Sequence, residues 1–327
     1  MNTEKKTLSI VLPTYNRANY LALTLDAFVQ QLNNHKGDVS FTICNNASTD
    51  DTLNVLKAYK EKWSFFDYIN FEEHVSIGYS LSRAVDQADG EYVLLWGDDD
   101  LPAPFMISAL LETIHQNPGV SLIHFNRLVG LDNDVTMINK LTVINNNIGW
   151  GVSHYDNTND FLNKYVLDMT FMSSFVFKKD CWGDADTEKH YGYEFLGKIL
   201  YEVGRKKPVN IVYIQYPLCI QRKPFNRPWM NKSPYYRFVG IPNMYEDFEK
   251  WGLIDSARDL WMNKGNTKRD FLAIMWQTSV FKKEYRPIFK EMIRHQYSFG
   301  RKALTFFFIY ISPAWLYKSS RKIFFRK

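Results

Sequence analysis

Cysteine is scarce in this chain. Only Cys44, Cys181 and Cys219 occur among 327 residues, scattered and without C-x-x-C spacing. That excludes a disulfide framework and a structural zinc site, and points to a reducing compartment. G-x-G-x-x-G, a Gly-rich P-loop and metal-hydrolase motifs are absent, which speaks against a dinucleotide oxidoreductase. Neither repeats nor low-complexity tracts occur. Met1 to Thr7 is polar and Leu8 to Pro13 is a short apolar run, so no secretory signal is expected. The most apolar stretch, Ala303 to Tyr317, contains Pro313 and falls short of the roughly 20 residues that span a bilayer.

What is present suits a folded protein. Hydrophobic residues make up 46% of the chain, enough for one large or two modest domains. The formal net charge of +5 hides an asymmetry. Residues 1–199 carry a net of −11 and residues 200–327 a net of +16. An acidic half suits a cation, and a basic half suits an anionic surface.

Periodicity gives the fold class. Apolar, β-branched runs at Thr7 to Leu12, Val39 to Cys44, Tyr68 to Phe71 and Tyr92 to Trp96 read as buried parallel strands. Between them, helical spacing predicts a helix over Tyr20 to Leu32, with Asn19 as its N-cap and Leu21, Leu25, Phe28 and Leu32 on the apolar face. Further helices are expected through Leu53, Leu56 and Tyr59 and over Tyr79 to Gln87. This alternation predicts an α/β domain with a mostly parallel sheet, whose functional loops lie at the carboxyl ends of the strands. Later strands are expected over Ser121 to Leu128, Thr170 to Lys178 and Val209 to Gln215, with a loop or hairpin over residues 131–157 and a helix over Tyr193 to Gly204. From about residue 225 the texture turns aromatic, basic and helical.

Three loops at strand ends carry the chemistry. Asp98-Asp99-Asp100 follows an apolar strand directly. Adjacent carboxylates repel, so they need a cation or strong donors to stay ionised together. Their oxygens suit Mg²⁺ or Mn²⁺. The other two loops are Pro13-Thr14-Tyr15-Asn16-Arg17 and Asn45-Asn46-Ala47-Ser48-Thr49-Asp50. Together with Gly90-Glu91-Tyr92, these ordered segments closely resemble family 2 glycosyltransferases of the GT-A fold. Phe171 to Lys179 looks like the subgroup of bacterial O-antigen and abequosyltransferase-like enzymes.

The resemblance implies a site residue by residue. Pro13, Thr14, Tyr15, Asn16, Arg17, Asn46 and Ser48 match the nucleotide-sugar loops, with Tyr15 stacking on the base. Asn46 departs from the usual base-binding Asp; an amide both donates and accepts, leaving uracil, thymine and cytosine open. Asp98 matches the ribose contact and Asp99 the metal ligand, with Asp100 sharing the metal through water. Gly97 stands where the first Asp of the D-x-D form is usual. Arg83 is the candidate diphosphate contact on its helix, as are Arg222, Lys223 and Arg227 further on. An inverting transfer needs a general base. Glu194 matches best, with Asp184, Asp186 and Glu188 as rivals.

The resemblance implies a non-processive transferase, because Q-x-x-R-W is not present with its proper spacing. The domains expected are a catalytic GT-A domain over residues 1–220 and a helical, aromatic, basic region over 221–327. Basic residues flanking Ala303 to Tyr317 suggest peripheral attachment to the cytoplasmic face of the inner membrane, where a lipid-linked saccharide acceptor would lie. An oligomer contact is the other reading of that tail. Nucleic acid is not an expected partner, since the cations are dispersed and accompanied by no recognition motif. A non-catalytic nucleotide-sugar or glycan-binding protein on the same scaffold is the alternative.

Overall fold

In a computed structural model of the chain, residues 6–63, 65–132, 138–143, 149–223, 235–265, 286, 289–296 and 299–311 are described. The chain forms two compact units. The first is Met1–Asp184 with Lys198–Asn226, and the second is Ala185–Gly197 with Arg227–Lys327.

The first unit is an α/β structure on a ten-stranded sheet. Its parallel core has the order β3 (Phe66–Asn70), β2 (Val39–Asn45), β1 (Leu8–Thr14), β4 (Tyr92–Leu95). The sheet continues through β9 (Phe175–Lys178), β6 (Leu122–Asp132), β10 (Ile211–Lys223) and β5 (Leu101–Pro102). β7 (Ile138–Val143) pairs with β6 and β8 (Val152–Tyr155) with β10, both antiparallel.

Alternation along the strands explains the layering. Leu8, Ile10 and Leu12 share one core with Leu21, Leu25, Phe28 and Leu32 of α1 (Ala18–Asn34) and with Met106, Ile107 and Leu110 of α4 (Met106–Gln116). Each such side chain, once buried, stabilises the fold by about 1.5–3 kcal/mol. Leu56 of α2 (Thr52–Lys62) joins the same core. α3 (Ile77–Gln87), capped by Ser76, packs on β1 and β2 and buries Leu81, Ala84 and Val85.

Several local expectations are corrected. Asn19 lies inside the first turn of α1. The amides at that helix start are instead satisfied from another loop, where Asp50 Oδ2 accepts from Ala18 N (3.2 Å) and Thr52 Oγ1 from Arg17 N (3.2 Å). The strand expected from Thr170 begins only at Phe175, after two 3-10 turns at Asp168–Thr170 and Met172–Ser174. β10 runs past Gln215 and Pro217 to Lys223, absorbing the proline in a register shift. A short helix, α5 (Thr158–Tyr165), capped by Asn157, was not foreseen.

His124 on β6 sits among Phe161, Tyr165 and Tyr213 and is 1% exposed. Burial, and then the nearby Arg127 charge, push it down to about 3. The unfolded chain therefore binds this proton near pH 6.5 while the folded chain stays neutral until about pH 3. Stability from this group is full above pH 6.5 and is lost as pH falls toward 3. A Tm profile from pH 7.5 to 4 should show this decline, and His124→Gln should flatten it.

Candidate active site

Parallel register places the three loops together. Thr14 pairs with Asn45 and Asn45 with Asn70, so β1, β2 and β3 end side by side. Asn46 N donates to Thr14 O (2.9 Å), and Asn45 Nδ2 donates to Asn70 Oδ1 (2.6 Å). Thr14 Oγ1 reaches across to Asp98 Oδ2 (2.8 Å), tying the end of β1 to the acidic loop after β4.

The loop after β1 is stitched to the loop after β2. Asn16 adopts a left-handed backbone (φ 54°), which Asn tolerates better than most residues. Its side-chain carbonyl accepts from Thr49 N (2.7 Å) and Asp50 N (3.3 Å), and its own N–H donates to Ser48 Oγ (2.9 Å). Asn16 and Ser48 are thus committed to shaping the loops. Tyr15 is 41% exposed, and its ring lies 4.2 Å from that of His74, a neighbour the sequence did not reveal.

Asn46 is 4% exposed and its amide is engaged at both ends. Nδ2 donates to Val75 O and Oδ1 accepts from Val75 N, each at 2.9 Å. A carboxylate could accept from that N–H but would face the Val75 carbonyl without a proton to share. The amide at position 46 therefore has a structural cause: it pins the segment before α3.

The three carboxylates have different environments. Asp99 is partly open, 24% exposed at its side chain, with Arg17 4.0 Å away. Asp98 is half-buried. Burial and then the like charge of Asp99 push it up to about 7, against the pull of Arg17 and the Thr14 hydrogen bond. Asp100 is 3% exposed and lifted well above the usual carboxylate range by burial. Its Oδ2 accepts from Ser173 Oγ (2.7 Å) and its Oδ1 from Arg222 N (3.3 Å). Its carbonyl accepts from Thr24 Oγ1 (3.0 Å) and Trp96 Nε1 (3.3 Å). Asp100 is thus bonded into the protein rather than presented outward.

The same arrangement explains Gly97. Its N–H donates to Ser173 Oγ (2.8 Å), and a Cβ there would sit 2.7 Å from Asp100 Oδ2. The Asp100 carboxylate occupies the space a side chain at 97 would need. Tyr20, on α1, lies between two cations: the Arg17 and Arg222 guanidinium carbons are each 5.3 Å from its ring centroid.

The remaining candidates sit on other elements. Arg83 is exposed and faces the Phe71 and Tyr79 rings, 6.0 Å from each. It lines a cavity of about 670 Å³ with Glu72, Glu73 and Val75. Asp184 is exposed in the first unit, while Asp186 and Glu194 belong to the second. Glu194 opens α6 (Glu194–Arg205) and its Oε2 accepts from Gly192 N (2.8 Å). Lys223 and Arg227 side chains and the end of the basic tail, 312–327, fall outside the described residues.

Comparison with known proteins decides the family. A model described as glycosyl transferase family 2 matches residues 9–180, more than half of the chain. The chain belongs to this family. Abequosyltransferase RfbV of Salmonella typhimurium is 24% identical over 200 residues, 56% of each protein. The putative teichuronic acid biosynthesis glycosyltransferase TuaG of Bacillus subtilis is 26% identical over 100 residues, 31% of this chain and 38% of that one. The family 2 chain thus spans about half, or less, of these curated relatives. Among solved structures, S. aureus TarS in complex with UDP has a TM-score of 0.58 at 12% identity, covering 98% of this chain and 93% of that one. A mannosyltransferase from Pyrobaculum calidifontis, solved with GDP-Man and Mn²⁺, has a TM-score of 0.51 at 12% identity, covering 99% and 89%. The fold is therefore the GT-A fold of glycosyltransferases.

Two substitutions probe this framework. Gly97→Ala should lower unfolding stability by about 1–3 kcal/mol, because Asp100 is held from both sides and cannot yield. Asn46→Asp should cost about 1–3 kcal/mol by facing the Val75 carbonyl with no donor. Denaturant unfolding of both variants against the parent measures these losses.

Proposed function

We propose that this chain is an inverting, non-processive glycosyltransferase that moves one sugar from a nucleotide-diphosphate donor to a saccharide acceptor. The observation that carries this reading is the acidic loop Gly97 to Asp100. It follows β4 and is tied by Thr14 to the end of β1, next to Tyr15, and by Thr24 to α1, inside a segment matched by the family model. The exposed ring of Tyr15 offers a face for the base.

The donor set fits a divalent cation of the Mg²⁺ or Mn²⁺ kind. No cluster of three or more His, Cys, Asp or Glu side chains suited to a metal occurs among the described residues. Hard cations of this class keep several waters and bind through one or two carboxylates plus substrate phosphates. Asp99 would hold the ion with Asp98 beside it, where burial first and then the like charge of Asp99 already disfavour an ionised Asp98. When bound, such an ion supplies positive charge that offsets the departing diphosphate.

The chain's own residues do the rest. Arg17, beside Asp99, adds a fixed cation at the acidic loop. Asp100 holds the loop in place through Ser173 and Arg222 N. Glu194 is the candidate general base, removing the acceptor hydroxyl proton as that oxygen attacks and the anomeric centre inverts. Relatives named for abequosyl transfer and for teichuronic acid biosynthesis favour a cell-surface polysaccharide intermediate as acceptor, carried on lipid at the cytoplasmic face. No described helix is long and apolar enough to cross a membrane. The cations flanking the aromatic run Ala303 to Tyr317 favour contact at an anionic membrane surface.

The test is a thermal-shift screen with UDP, CDP, dTDP and GDP, each with and without Mn²⁺. One diphosphate should stabilise the parent in a metal-dependent manner, and Asp99→Asn should abolish the response. Glu194→Gln should keep that response while cutting transfer by about 10²–10⁴. A parent that responds to none of the four would overturn the proposal.

A further inference from the structure

The second unit gathers four tyrosines around Glu194. Tyr191 and Tyr235 meet at 4.5 Å between ring centroids, Tyr193 and Tyr236 at 6.4 Å, and Tyr235 and Tyr236 at 6.5 Å. All four are half-buried, whereas Phe195 and Phe238 in the adjoining positions are buried. Within these two short segments the partly open rings are phenols. Glu194 lies close enough to raise Tyr236, second to burial, and Arg237 close enough to oppose the rise at Tyr193.

The support beneath these rings is tight. A Cβ on Gly240 would lie 2.5 Å from His190 O and 3.1 Å from Tyr191 O. A Cβ on Gly197 would lie 2.3 Å from His190 Nδ1. Both glycines let the 190–191 backbone approach its neighbours closely. His190 is fully buried and its Nε2 bonds Asp247 Oδ2 at 2.9 Å. On this base Tyr191 holds a left-handed backbone (φ 42°, ψ 79°), unfavourable for a bulky aromatic residue. Gly192 follows at φ 89° with Tyr236 ring atoms 3.3 Å from its missing side chain. Strain of this kind persists only where the surroundings over-determine it, and it collects at ligand sites.

We propose that Tyr191, Tyr193, Tyr235 and Tyr236 form a saccharide platform that receives the acceptor, with Glu194 at its edge. This rests on the transferase reading above. Pyranose rings carry apolar C–H faces and a hydroxyl rim. Half-open aromatic faces match the former; phenol hydroxyls, Arg237 and the Glu194 carboxylate match the latter. The bond from Gly192 N fixes one carboxylate oxygen and leaves the other for a sugar hydroxyl.

Saturation-transfer NMR on the full chain tests this, with methyl glycosides of galactose, mannose, rhamnose, glucose and N-acetylglucosamine as probes. The same samples are run through the nucleotide thermal-shift screen. At least one glycoside should bind the parent. Tyr191→Asn keeps a residue tolerant of the left-handed backbone while removing the ring, and Tyr235→Ala removes its partner. Each should weaken that binding about three- to tenfold, with the nucleotide response intact. Glycosides that bind parent and variants alike, or none that bind the parent, overturn the platform, while an intact nucleotide response leaves the transferase reading standing. Loss of the nucleotide response in the parent itself overturns the transferase reading instead.

Discussion

A buried carboxylate organises the first unit. Asp100 meets Ser173 and the Arg222 backbone through its two oxygens, and its carbonyl meets Thr24 and Trp96. The elements it joins are distant in sequence: α1, the end of β4, the turn before β9, and the last stretch of β10. An ionisable group with so little water around it is costly unless every lone pair is occupied. Ser173 and Arg222 N each meet one carboxylate oxygen, while Thr24 and Trp96 hold the backbone of the same residue. The acidic loop is therefore rigid because of the residue in it that faces inward.

This division of labour among three consecutive aspartates was only half legible in the sequence. The run itself, the strand before it and the likeness to family 2 were visible. Which carboxylate faces solvent was not, because that depends on Ser173 and Arg222, which lie 73 and 122 residues away. The same holds for Gly97. In the sequence it reads as a missing Asp; in the structure it is the space the Asp100 side chain fills. Local departures from a family pattern are ambiguous until the long-range partner is known.

The fold was more legible than the site. Strands β1, β2 and β4 and the apolar face of α1 follow from local periodicity, which is strong for buried parallel strands and amphipathic helices. The failures lie where tertiary contacts override local signals. Asp50 and Thr52 cap α1 from across a loop, so the nearby Asn19 is not needed. The strand expected over Val209 to Gln215 runs on to Lys223, because a register shift beside β6 accommodates Pro217. His74 could not be placed beside Tyr15 without knowing that the segment after β3 folds back to Asn46.

The brace between Asn46 and Val75 has a consequence for which side chains position 46 can accept. Because one side chain grips both backbone groups of a residue 29 positions away, the two positions are energetically coupled. A carboxylate keeps the bond from Val75 N but loses the one to Val75 O, so half of the grip goes with a single exchange. A compensating change near Val75 would therefore alter the cost of an exchange at 46, and the order of two such substitutions matters.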